Sequence, residues 1–231
     1  MIRRMTHNEG KWHDTLQQLR LQLRRAMDGE TSSYQRQMGL DYGINFGVNL
    51  LRLREIAQTL PQEQELADLM WSKNVREMKL LSLMLRHPEE LTMEQALRLS
   101  AEVETLEIAE QLVFRLLRFV PFSSQLLSAL FSERYSPSTP SATVPYLLLN
   151  HLSSDERLTA EQFGELKPII IEDFTVSDFY LPSIIYNALQ RIVYTRPDLD
   201  VREICEKVLS SDNETAKTLA TDIMTIIKEE A

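Results

Sequence analysis

The sequence predicts an all-α fold, and three observations carry that prediction. Apolar residues recur three and four positions apart along the chain, the spacing of one helix face. No stretch alternates apolar with polar residues as a half-buried strand would. Only six glycines and nine prolines punctuate 231 residues, too few for a turn-dense all-β chain.

The elements follow in order. Residues 1–10 read as a flexible N-terminal tail, and residues 11–231 as a single helical-repeat domain. The first helix spans Lys11 to Met27, with Leu16, Leu19 and Leu23 on one side and Arg20, Arg24 and Arg25 off that stripe; Asp28-Gly29 stops it. Glu30–Gly47 reads as turn, with Gly43, Asn45 and Gly47. A helix from Val48 to Leu60 then places Val48, Leu51, Ile56 and Leu60 three to five apart. Pro61 ends it and can open the next at its first turn. Residues 62–72 and 75–86 form a helical pair that His87-Pro88 breaks, with Trp71 plugging the space between helices. Thr92 and Gln95 make a capping box for a helix ending near Ser100. Helices near 104–119, 122–132, 143–153, 159–171, 181–195, 198–210 and 213–229 follow, separated by Pro121, SPSTPS at 136–141, Ser153–Asp155, Pro168 and Pro197. A dozen short helices with short connectors fit an α-solenoid of antiparallel helix pairs in the HEAT or armadillo style. They also fit a compact bundle, although a bundle usually uses fewer, longer helices.

Composition narrows function by exclusion. The hydrophobic share of 43% and charged share of 26% are those of an ordinary globular chain. No window approaches the roughly 18 apolar residues of a membrane span, and no apolar run follows the basic start as in a secretory signal. The single cysteine, Cys205, excludes an intramolecular disulfide framework and sits in phase with Val201 and Val208 as a buried thiol. A reducing, cytoplasmic location follows as the expectation. The four histidines are dispersed and no metal-ligand spacing occurs, so no metal or cofactor is expected. The net charge of −9 opposes simple polyanion binding, but it is uneven: residues 1–60 carry +3, residues 61–130 carry −4 and residues 131–231 carry −8.

Two groups of side chains carry possible chemistry. Glu107 and Glu110 stand three apart on one helix, so both carboxylates can reach one ligand and steady a cationic transition state. The plain alternative is a solvated acidic face. Lys73, Arg76 and Lys79 form a loose cationic patch that can touch phosphate or simply face water.

The run Leu40-Asp41-Tyr42, Asn45-Phe46-Gly47-Val48 and Leu53-Arg54-Glu55-Ile56-Ala57 resembles the opening of the AlkD-like DNA alkylation repair family. Glu65-Leu66-Ala67, Leu69-Met70-Trp71-Ser72, Val75-Arg76-Glu77-Met78-Lys79-Leu80-Leu81 and Leu106–Gln111 extend the likeness over residues 15–120. The resemblance implies a curved superhelix of HEAT-like helix pairs whose basic concave face cradles duplex DNA. It implies a cofactor-free glycosylase that releases cationic alkylpurines, with a carboxylate steadying the developing charge on the sugar. It sets Glu107 and Glu110 at the family's two acidic positions as the catalytic candidates, and Arg76, Lys79, Arg115 and Arg118 are the cations expected to contact the DNA backbone. Two positions depart from the family pattern. Leu106 stands where the family has Trp, and no Arg lies in 135–150, near Thr143 where the family places one; Arg134 is the nearest upstream. A second reading is a non-enzymatic scaffold that binds a protein or peptide partner.

Overall fold

In the computed structural model, residues 10–40, 42–176 and 180–230 are described, so the tail expected at 1–10 lies almost wholly outside them. Among the described residues the secondary structure is helical, save one isolated bridge between Ile44 and Val75. No described helix is long and apolar enough to cross a membrane. The chain divides into two units, residues 1–91 and 92–231.

The first unit contains α1 (His13–Arg25), α2 (Gly29–Gln37), α3 (Leu50–Ala57), α4 (Gln64–Trp71) and α5 (Arg76–Leu85). Helix α1 buries Leu16, Leu19 and Leu23, the expected stripe. Helix α2 replaces the expected turn. Asp28 caps it, accepting from the Glu30 and Thr31 amides at 3.0 Å each and from the Thr31 hydroxyl at 2.7 Å, which holds its carboxyl below the usual range. Its sequence, GETSSYQRQ, offers almost no apolar stripe, so periodicity could not find it. Helix α3 starts after Asn49, which caps the Arg52 amide at 2.9 Å. Its buried phase is Leu53, Ile56 and Ala57, whereas Leu51, expected inside, is 68% exposed.

The Gly43–Gly47 segment is a structural splice. Gly47 has φ +72°, and a Cβ there would meet the Asp28 carbonyl at 2.1 Å, so the position requires glycine. The Glu77 carboxylate is fully buried and accepts from the amides of Phe46 (3.1 Å) and Val48 (3.3 Å). Helices α4 and α5 pair through a short turn, and the Ser82 hydroxyl donates to the Ala67 carbonyl at 2.7 Å between them.

The second unit is a two-layer stack. Its helices are α6 (Met93–Ala101), α7 (Leu106–Leu112), α8 (Ser123–Ser132), α9 (Val144–Leu152), α10 (Ala160–Phe174), α11 (Leu181–Thr195), α12 (Arg202–Leu209) and α13 (Glu214–Glu229). Each odd-even neighbour pairs: α6 with α7, α8 with α9, α10 with α11, α12 with α13. The first members pack in succession (α6, α8, α10, α12), as do the second members (α7, α9, α11, α13). Every pair therefore buries its apolar face against its neighbours, which is solenoid packing and not a bundle around one axis. The expected Thr92–Gln95 capping box opens the stack. Gln162 ties α10 to α8, donating to the Ser124 carbonyl at 2.7 Å and accepting from the Ser124 hydroxyl at 2.7 Å. Pro168, expected as a break, lies inside α10. Cys205 is fully buried, and burial with nearby Asp200 and Glu206 pushes its thiol up to about 12.

Candidate nucleic-acid interface

The carboxylates named from sequence lie on α7. Thr105 caps this helix, accepting from the Ile108 amide at 3.3 Å. Ile108, Ala109 and Leu112 face the core, which leaves Glu107 half-buried and Glu110 at the surface. Partial burial, then the like charge of Glu107, raises the Glu110 carboxyl above its ordinary value. Leu106 is half-buried beside them and offers no aromatic wall.

The first-unit cations are placed differently from the sequence expectation. Arg76 is 2% exposed; its Nη1 donates to the Val48 carbonyl at 2.9 Å and to Glu77 Oε1 at 3.1 Å. Lys79 is 6% exposed, with its ammonium 4.9 Å from the centre of the buried Trp71 ring. Both charges are thus turned inward and hold the splice and the α4–α5 pair together, which removes them from the candidate phosphate contacts. Arg134 likewise serves the fold: it takes φ +50° and pairs with Glu172 at 2.9 Å and Asp173 at 3.4 Å near the end of α10. The Tyr146 hydroxyl donates to the same Asp173 at 2.6 Å. Thr143 is buried, and its hydroxyl donates to the Pro140 carbonyl at 2.6 Å, so no side chain there reaches outward as an Arg would.

Arg115 and Arg118 lie on the far side of a local irregularity. Helix α7 continues into one wide turn, Val113–Leu117, closed by the Arg118 amide on the Val113 carbonyl at 3.3 Å. Such single π turns often mark functional sites. Arg115 is half-buried and its Nε donates to Gln111 at 2.9 Å. Arg118 lies between two aromatic rings, 4.1 Å from the centre of Phe114 and 4.3 Å from that of Phe119.

From Arg118, just past the turn that follows α7, a row of polar groups crosses the second-layer helices α9 and α11. Arg118 Nη1 stands 3.5 Å from Nδ1 of His151 on α9. Asn150, next to it, accepts from Arg191 Nη1 of α11 at 3.4 Å. Burial, then the charges of Arg118 and Arg191, hold the His151 imidazole below its ordinary 6.5. Arg191 is exposed, Arg118 and His151 half so. The row thus holds two arginines, Arg118 with its two aromatic rings and Arg191, with His151 and Asn150 between them. Sequence reasoning named Arg118 but missed Phe114, His151 and Arg191. Only the spacing of Phe114 and Arg118 (i, i+4) was visible along the chain; the rest are 33 to 41 residues apart in the paired contacts.

No protein-family model matches the sequence, and no curated protein matches it. A solved structure does match in fold: "A new family of proteins related to the HEAT-like repeat DNA glycosylases with affinity for branched DNA structures". The match has 12% identity and a TM-score of 0.69, and covers 90% of this chain and 94% of that one. At that identity the likeness establishes the fold: the chain is an all-α protein of the HEAT-like repeat type.

Proposed function

We propose that this protein binds DNA through the second helix layer of its 92–231 unit, with Arg118 and Arg191 on the phosphates and His151 between them. The observation that carries the reading is the contact chain from Arg118, just past the turn after α7, through His151 and Asn150 of α9 to Arg191 of α11, which sets two arginines on one layer of the stack where phosphates can meet both. Arg115, half-buried beside Arg118, adds a third cation on the same turn. The affinity for branched DNA attributed to the structurally similar protein family supports DNA as the ligand class and branched DNA as the form to try first. The net charge of −9 then acts as selectivity, because affinity must come from this local row and not from a diffuse positive field.

Base release is the finer reading, and Glu110 would carry it. Its carboxyl, raised by burial and by Glu107, stands at the surface where it can meet a developing cationic sugar. Leu106 supplies no ring to hold the lesion. Binding therefore accounts for more of the observed geometry than catalysis does. The test has two arms. Affinity for duplex and branched DNA is measured across salt, where steep loss with rising salt supports phosphate contact and absence of binding at low salt ends the DNA reading. Release of 7-methylguanine from duplex is compared between the native protein and Glu110→Gln; release only by the native protein adds a glycosylase step, and equal background rates remove it.

A further inference from the structure

We infer that Phe114 and Phe119, on either side of the Arg118 guanidinium, form a stacking site for an unpaired nucleobase of DNA. The inference rests on the DNA-binding reading above and adds a base contact to the phosphate row. Phe114 is 42% and Phe119 56% exposed. Large apolar rings left in water cost stability, and here the two are not scattered but share one cation.

The backbone arranges this. In a regular α-helix the residue five positions on sits about 140° round the axis, so Phe119 would face away from Phe114. The wide turn at Val113–Leu117 closes at i to i+5 and carries the chain back over itself, which brings Phe119 to the same side as Phe114. His151 neighbours the Phe114 ring, with centroids 6.2 Å apart and planes tilted by 53°. Phe119 is the more open ring. An exposed ring with a guanidinium against it presents what single-stranded nucleic acid recognises: a π face for the base and a cation for the adjoining phosphate, with no demand on sequence. In a fully paired duplex each base face is covered by its neighbours, so the ligand is an unpaired base at a tail, gap or branch point.

The experiment uses the full chain and three DNAs: a blunt duplex, the same duplex with a tail of thymidines, and the same duplex with a tail of abasic sites. Both tails carry the same phosphates, so only a base contact separates them. Stacking strengthens binding about fivefold to a hundredfold per base. The expected result is that the native protein prefers the thymidine tail to the abasic tail by about tenfold. Phe119→Ala abolishes that preference while its blunt-duplex affinity stays, and Phe119→Trp retains it. Equal affinity for the two tails in the native protein overturns the stacking site and leaves the phosphate reading standing. Retention of the preference in Phe119→Ala, with a native circular dichroism spectrum, overturns the assignment to this ring. Failure to bind any of the three DNAs overturns both.

Discussion

Replacing Arg76 with Met separates the two roles that sequence and structure assign to this side chain. The Arg76 side chain is 3% exposed and that of Glu77 is 0%. In Arg76→Met the Glu77 carboxylate stays buried without its ion-pair partner, and the Val48 carbonyl loses the donor at 2.9 Å. Breaking a buried pair from one side costs about 3–5 kcal/mol, and an orphaned buried acceptor adds about 1 kcal/mol. The Phe46 and Val48 amides still solvate the carboxylate and offset part of this. The expected loss is about 3–4 kcal/mol, read as a lower midpoint in urea with an unchanged slope. Arg76→Met with Glu77→Gln should recover part of it, because the neutral amide leaves no unpaired buried charge while its oxygen still accepts from the Phe46 and Val48 amides. The salt dependence of DNA binding, measured where the variant is folded, should not move. A loss under about 1 kcal/mol, or a fall of about 0.9 in the log–log salt slope, would refute the internal role and return Arg76 to the surface.

Three further outcomes follow from the same structure. Gly47→Ala forces a β-carbon against the Asp28 carbonyl in left-handed backbone, so it should cost at least about 1–2 kcal/mol in urea titration; a neutral result would mean the splice relaxes freely. Cys205, buried with its thiol pushed up to about 12, should resist alkylation at neutral pH until the chain unfolds; fast labelling of the native protein would contradict its placement. His151 should couple binding to protons. Its imidazole is held below 6.5 by burial and by Arg118 and Arg191, and phosphates that neutralise those arginines should raise it. DNA affinity should therefore rise as pH falls through and below 6.5, and His151→Gln should flatten that rise. In the free protein the sign is opposite: the unfolded chain binds the proton more readily, so His151 lowers stability as pH falls below 6.5.

What could be read along the chain was local. The stripe of Leu16, Leu19 and Leu23 and the Thr92–Gln95 box depend on residues within two turns of one another, and both stand as expected. Helix α2 escaped because its stability comes from one Asp28 cap and from tertiary contact, including the Ser32 hydroxyl on the Asn45 carbonyl at 2.9 Å. Leu51 was misplaced by one face because the helix begins at Leu50, after the Asn49 cap, and not at Val48. Arg76 read as a surface cation because its partner Val48 lies 28 residues earlier. The wide turn after α7 has no signature in VFRLL, and without it Phe119 does not share a side with Phe114 and Arg118. The second-layer row needed the stack itself, since α7, α9 and α11 meet only once their helix pairs have packed.

The most direct test of the proposed contact is the salt dependence of DNA binding by the native protein and by the double variant Arg118→Gln, Arg191→Gln. Each lost phosphate contact removes about 0.9 from the slope of log affinity on log salt. The row predicts a fall of about 1.8 with the fold intact. An unchanged slope in a folded double variant would contradict it.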